Sequence, residues 1–245
     1  MPGIKVCLSP ILFPLITIKD KTIIVVIDIL RATTSFCTAF DYHVNSIIPL
    51  DSLEEAIEFK RQGMLVAAER DGLKPEFADF SNSAFDFMNE EIAGKDIYYT
   101  TTNGTKAIKM GEEKGTVVIG SFLNLNVLTE WLIDQKMDVI AFCAGWKDNY
   151  SLEDTLCAGA LVSNLADKGN FTIDDDAALS ASILWRNNSS NPYALIEKSD
   201  HYKRLVNLGF QNVLSYSVNI GKSSSIHVLI NGRLHDIKKL VDNKF

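Results

Sequence analysis

The strongest signal along the chain is an unbroken apolar run, Thr22–Leu30 (TIIVVIDIL), interrupted by a single acid near its end. A run without polar alternation is the mark of a strand buried on both faces, as in a parallel sheet. Shorter runs of the same kind predict strands at Ser46–Leu50, Met64–Ala68, Asp96–Thr100, Thr116–Gly120 and Met137–Phe142. Helical patterns lie between them. Ser52 reads as an N-cap with Glu55 completing a capping box, and Asn124–Gln135 and Ser151–Lys168 continue the series. Strand and helix therefore alternate. This predicts an α/β fold, with a mostly parallel sheet, helices on both faces and a crevice at the carboxyl ends of the strands.

The pattern loosens towards the end, where an irregular lobe is expected from about residue 186 within a single domain spanning 1–245. Asp174–Trp185 reads as a helix, Arg186–Pro192 as a polar loop, and Ser199–Leu208 as a helix closed by Gly209. Alternation predicts strands at Asn212–Ile220 and Ser225–Ile230, followed by a turn at Asn231-Gly232.

Composition narrows the classes. The net charge is −7, and Lys and Arg are scattered rather than striped, which argues against a nucleic-acid partner. The apolar stretch Ile11–Ile18 is short and broken by Pro14, so no membrane span is expected, and the opening residues lack the pattern of a secretory signal. Cys7, Cys37, Cys143 and Cys157 form no CxxC pair and read as reduced thiols of a cytoplasmic protein. The four histidines show no metal-ligand spacing and read as incidental. Assembly into a homo-oligomer is left open.

The residues following the apolar runs carry the candidate chemistry. They are Asp28 to Thr34, Glu69 to Lys74, Thr101 to Lys106, Gly120-Ser121, and Cys143 to Trp146 leading to Ser151-Leu152-Glu153-Asp154. Thr101, Thr102, Asn103, Gly104 and Thr105 offer hydroxyls, an amide and a glycine turn before a helix, where backbone N–H groups attract oxyanions. Thr33, Thr34 and Ser121 add hydroxyls; Arg31, Arg70 and Lys74 add positive charge. The carboxylates Asp28, Glu69, Glu153 and Asp154 would repel an anion unless a Mg²⁺ ion lay between them and a phosphate.

Plainer roles compete. Ser151 fits a helix cap, Asn103-Gly104 a turn, and Arg31 a structural partner for Asp28. No P-loop, GxGxxG, GxSxG elbow or cysteine-phosphatase loop is present.

Taken together, the motifs Val26-Ile27-Asp28-Ile29-Leu30-Arg31-Ala32-Thr33-Thr34, Thr101-Thr102-Asn103-Gly104-Thr105, Cys143-Ala144-Gly145, Ser151-Leu152-Glu153-Asp154 and Cys157-Ala158-Gly159 resemble the 2-phosphosulfolactate phosphatase family. The resemblance implies a Mg²⁺-dependent phosphatase of coenzyme M biosynthesis, acting on a small anionic substrate, 2-phospho-3-sulfolactate. One segment departs from the family pattern. Where that pattern reads Gly-Glu-Arg-Gly-Gly and continues through further glycines, this chain has Ala68-Glu69-Arg70-Asp71-Gly72, then Lys74, Phe77-Ala78-Asp79 and Ser81-Asn82-Ser83-Ala84. Glu69, Arg70, Gly72, Lys74, Asp79, Asn82 and Ser83 are kept.

The expected roles follow. Asp28, Arg31, Glu69 and Asp154 would be catalytic, and Asp28, Glu69, Glu153 and Asp154 would hold the metal. The threonine loop, Arg31 and Arg70 would grip the phosphoryl group, and Lys74, Asn82 or Ser83 the second anionic arm. The competing functions are a phosphatase of another phosphorylated hydroxy acid and a non-catalytic protein that binds an acidic metabolite.

Overall fold

A computed structural model describes residues 1–19 and 21–242. Its elements run in the order β1 (Gly3–Cys7), β2 (Ile23–Ile27), α1 (Ala32–Asp41), β3 (Ser46–Pro49), α2 (Leu53–Arg61), β4 (Leu65–Ala68), β5 (Asp96–Thr100), α3 (Gly104–Glu112), β6 (Thr116–Gly120), α4 (Leu125–Gln135), β7 (Val139–Cys143) and α5 (Leu152–Gly169). There follow β8 (Thr172–Ile173), α6 (Asp176–Asn188), α7 (Pro192–Ile196), α8 (Asp200–Asn207), α9 (Gln211–Tyr216), β9 (His227–Ile230), β10 (Arg233–Asp236) and α10 (Ile237–Asp242). No helix among the described residues is long and apolar enough to cross a membrane.

All ten strands join one sheet, in the order β4-β5-β3-β10-β9-β6-β2-β7-β1-β8. Two parallel blocks, β4-β5-β3 and β6-β2-β7-β1-β8, are linked by the antiparallel hairpin β9–β10. The hairpin meets each block through a single residue pair, Leu234 with Ile47 and Val228 with Val118. Three antiparallel contacts in succession reverse one block relative to the other along the hydrogen-bonded order. Even so, β2, β4 and β5 all deliver their carboxyl-terminal residues to one cavity.

β2 shows why both faces need cover. All five of its residues are buried, and successive side chains enter different cores. Ile23, Val25 and Ile27 pack with Leu125 and Leu128 of α4 and Leu156 and Leu161 of α5. Ile24 and Val26 pack with Phe36 of α1 and Ile108 of α3. A smaller cluster, including Ala56, Val66 and Tyr98, seats α2 on the outer block. The expected caps form: Ser52 accepts from Glu55 N, Ser151 from Asp154 N, and Gly209 takes a left-handed φ of 86° after α8.

Three expectations change. Asn212–Ile220 is not a strand: its first part is α9, burying Val213, Leu214 and Tyr216. A short apolar run does not distinguish strand from helix by period, and here packing selects the helix. The polar loop expected from Arg186 begins later, because α6 continues to Asn188. Three strands lie outside the expected set, β1, the edge strand β8 and the hairpin partner β10, their apolar runs being too short to stand out.

Candidate active site

Asp28 follows β2 directly and is only 5% exposed. Its Oδ1 accepts from Ala32 N at 3.3 Å, so the carboxylate caps the start of α1. Thr33 brackets the same residue from behind, accepting from Asp28 N and donating to Asp28 O. Thr34 donates to Ile29 O and lies 3.4 Å from Ser121 Oγ. Thr33, Thr34 and Ser121 thus shape the turn and do not line the cavity.

Glu69, after β4, accepts from Gly72 N and from both the backbone N–H and the hydroxyl of Thr102, the latter at 3.2 Å. One carboxylate therefore fixes two loops. Arg31 is 2% exposed. Its Nη2 donates to Gly72 O at 2.8 Å and its guanidinium stacks on Phe210 at 3.9 Å, while Nη1 is buried without a partner. Arg31 makes no ion pair with Asp28 among the described residues, so the expected structural pair does not form.

Asp28, Arg31, Glu69, Asp71, Gly72, Asn82, Thr102 and Asn103, from the segments after β2, β4 and β5, line a small polar cleft. The rest of the lining, its second wall, comes from the β7–α5 loop and α8: Trp146, Lys147, His201 and Arg204.

Of this second wall the sequence marks only Trp146, at the end of the segment after β7. His201 was read as incidental, but its Nδ1 lies 2.6 Å from Oε1 of Glu153, and its ring stacks on Trp146. Arg204 donates to Asp71 O and lies over Trp146, and Lys147 pairs with the Asp71 carboxylate at 2.7 Å. Asp71 itself adopts a φ of 53° at a position where the family pattern carries glycine. No local motif flags His201 or Arg204, which the packing of α8 delivers, whereas Trp146 and Lys147 come from the loop after β7.

Several expected ligands point elsewhere. Arg70 donates to Glu69 O and Thr100 Oγ1, and with Thr101 and Thr105 it lines a neighbouring groove. Thr101 and Thr105 exchange hydrogen bonds at the start of α3. Lys74 donates to Ala78 O and Asp79 O, and Ser83 caps a short 3₁₀ turn. Asn103 accepts from Lys147 N rather than capping α3, and Asn82 accepts from Tyr99 OH within the cavity wall. Gly104 is required by close approach: a Cβ there would lie 2.8 Å from Asp28 Oδ2.

The four-carboxylate metal set is not assembled. Among the described residues no three of His, Cys, Asp and Glu gather as metal ligands. Asp154 accepts from Ile29 N and Gly145 N, at 2.8 and 3.1 Å, Glu153 is held by His201, and neither lines the cleft. Asp28 and Glu69 remain on the cavity wall, and Mg²⁺ typically needs only one or two carboxylates beside waters and phosphate oxygens. Asp28 Oδ2 takes no hydrogen bond among the described residues, and Asp28 lines the cleft, so its carboxylate fits such an ion.

The electrostatics follow from burial. Desolvation raises Asp28 to about 6, with His201 and the Ala32 N–H opposing and Glu69 and Glu153 adding to the rise. Desolvation, then the charges of Glu153 and Asp28, push Asp154 well above the usual range. For Glu153 burial acts upward, but the His201 hydrogen bond and charge overcome it and hold the group below its ordinary value. Burial lowers Arg31, against the charges of Glu69 and Asp28.

An α/β sheet with buried carboxylates and an arginine that keeps one buried nitrogen without a partner at its strand ends has the layout of a small-anion enzyme site. The family described as 2-phosphosulpholactate phosphatase matches residues 7–232. Relatives described as probable 2-phosphosulfolactate phosphatases include those of Thermotoga maritima, 37% identical with 85% of this chain and 89% of the relative covered, and Caldanaerobacter subterraneus, 33% identical with 88% and 90% covered. That of Carboxydothermus hydrogenoformans is 31% identical, with 92% of each chain covered. The chain belongs to the 2-phosphosulfolactate phosphatase family, and it is a phosphoric monoester hydrolase.

Proposed function

We propose that the protein hydrolyses 2-phospho-3-sulfolactate to 3-sulfolactate and phosphate. Family membership supports the substrate class. The observation that carries the site assignment is the buried, unpartnered Nη1 of Arg31 beside Asp28 and Glu69. A guanidinium group desolvated in this way is stabilised by an oxyanion, and its planar fork matches a phosphoryl group.

Arg31 and Thr102 orient the phosphoryl group against the strand-end wall. Arg204 and Lys147 give the second wall the positive charge that a carboxylate or sulfonate arm requires. Asp28 accepts a hydrogen bond from the attacking water, and Glu69 holds the Thr102 and Gly72 loops in register. Asp28 and Glu69 would hold a Mg²⁺ ion, which when bound supplies charge neutralisation to the phosphoryl oxygens.

Phosphate release is to be measured from 2-phospho-3-sulfolactate and from a panel of other phosphorylated hydroxy acids, with Mg²⁺ and with EDTA. Release from the sulfonated ester in Mg²⁺ alone is the expected outcome. Full activity in EDTA removes the metal from the proposal, and faster release from a non-sulfonated ester transfers the assignment to that substrate.

A further inference from the structure

Glu153 sits in the first turn of α5, whose start is fixed by Ser151 accepting from Asp154 N. Glu153 is 1% exposed. Its Oε1 meets only the His201 ring nitrogen, and its Oε2 has no partner. A carboxylate so deeply buried, with a single hydrogen bond, demands a compensating positive charge. His201 is the group in contact that can supply it. A carboxylate oxygen only accepts, so Nδ1 carries a proton and donates it to Glu153. With Nδ1 committed to Glu153, Nε2 is the ring nitrogen left for a substrate. The ring lies on Trp146, 5.7 Å between centroids and 16° from parallel, and both residues line the cavity with Asp28 and Arg31. Ser199 accepts from Tyr202 N and fixes the start of α8, so His201 is held from both sides.

The other donors facing the cavity are poorly suited to lose a proton. Arg31 and Arg204 are guanidinium groups, and Lys147 is committed to Asp71. A departing alkoxide needs a proton, because an aliphatic alcohol is a poor leaving group without one.

We propose that His201 donates its Nε2 proton to the leaving-group oxygen of the phosphate ester, with Glu153 as the positioning residue that fixes its ring and charge. The assignment rests on the phosphatase reading above. The water oxygen forms the new bond to phosphorus. The bond from phosphorus to the ester oxygen breaks, and that oxygen keeps the electron pair and takes the His201 proton. The proton lost by the water leaves with phosphate or through solvent, from which the imidazole is recharged.

The test compares two esters in His201→Gln: 2-phospho-3-sulfolactate, with its alkoxide leaving group, and p-nitrophenyl phosphate, whose phenolate departs unaided. Turnover of the first should fall about 10²–10⁴-fold, the usual worth of general acid catalysis, while the second falls less than about tenfold. The ratio of the two rates does not depend on the folded fraction, so partial unfolding cannot imitate the result. Glu153→Gln, which keeps shape and removes charge, should show the same selectivity with a smaller loss. Equal losses on both esters in His201→Gln overturn the assignment while leaving the phosphatase reading intact. Wild-type protein that releases phosphate from neither ester overturns both.

Discussion

The two walls of the cavity are held by different kinds of contact. On the strand-end wall, Asp28 and Glu69 are 5% and 6% exposed, and each carboxylate accepts from the backbone N–H of a neighbouring loop or helix. Chemistry and architecture share the same atoms there. On the second wall, Arg204 of α8 is half-buried and Lys147 of the β7–α5 loop is exposed, and both are tied to Asp71, an exposed loop residue. The first wall is set when the sheet forms. The second depends on a few polar contacts between elements far apart in the chain. Substitutions on the first wall should therefore alter stability and turnover together, whereas those on the second should act mainly on turnover.

The largest effect is expected from Asp28→Asn. Turnover should fall at least about 10³-fold, as when a central electrostatic group is removed from an active site. Stability should move the other way. Burial raises this carboxyl from 3.8 to about 6. The folded protein thus binds the proton more tightly than the unfolded chain does, so this group costs stability as pH rises through that window, and the full cost is present above it. In metal-free buffer near pH 7 the variant should be more stable by up to about 3 kcal/mol, and near pH 3 the gain should vanish. Thermal melts across this range check the sign. A variant less stable at neutral pH would mean that Asp28 is structural first.

Arg31→Lys comes next. Lysine keeps the charge but cannot both bond Gly72 O and offer a second coplanar donor. A loss of about 10²-fold in kcat/KM is expected. A lowered Tm with unchanged kinetics would place Arg31 among the scaffold residues. Gly104→Ala tests the shared architecture more gently. Its Cβ would lie 2.6 Å from Ala32 Cβ and 2.8 Å from Asp28 Oδ2. Overpacking of this kind costs about 1–3 kcal/mol, and here turnover should fall with it. A change in only one of the two would separate fold from site on this wall.

The same division explains what the sequence made legible. Asp28, Glu69 and Thr102 each follow an apolar run, and the rule that ligands gather at strand carboxyl ends finds them without knowledge of tertiary packing. Thr33, Thr34 and Ser121 obey the same rule but spend their hydroxyls on the turn, a distinction that spacing does not carry. His201 and Arg204 lie on a helix with no motif, and they reach the cavity only because α8 packs across it. The buried pairing of His201 with Glu153, 48 positions apart, is a contact that single-sequence patterns do not encode. The joining hairpin was half legible for a similar reason. Ser225–Ile230 alternates visibly, but the direction in which its partner would pair depends on the sheet already built.

The smallest effect is expected from Lys74→Ala, and it bears directly on the comparison of the walls. By family resemblance this lysine belongs with the residues that grip the second anionic arm. In the structure it is exposed, does not line the cavity, and donates to Ala78 O at 3.1 Å and Asp79 O at 3.4 Å. A surface cation with only carbonyl partners contributes little, and removing it should change stability by less than about 0.5 kcal/mol. If Arg204 and Lys147 supply the second positive region, KM and kcat should both stay within about twofold of wild type, because a change of 0.4 kcal/mol corresponds to roughly that factor. Steady-state kinetics on the same ester used for wild type decide the matter. A KM raised about tenfold with kcat unchanged would show uniform binding lost from Lys74. The loop carrying it would then have to reach the substrate, and the second wall would have to include the segment after Gly72 as well as α8.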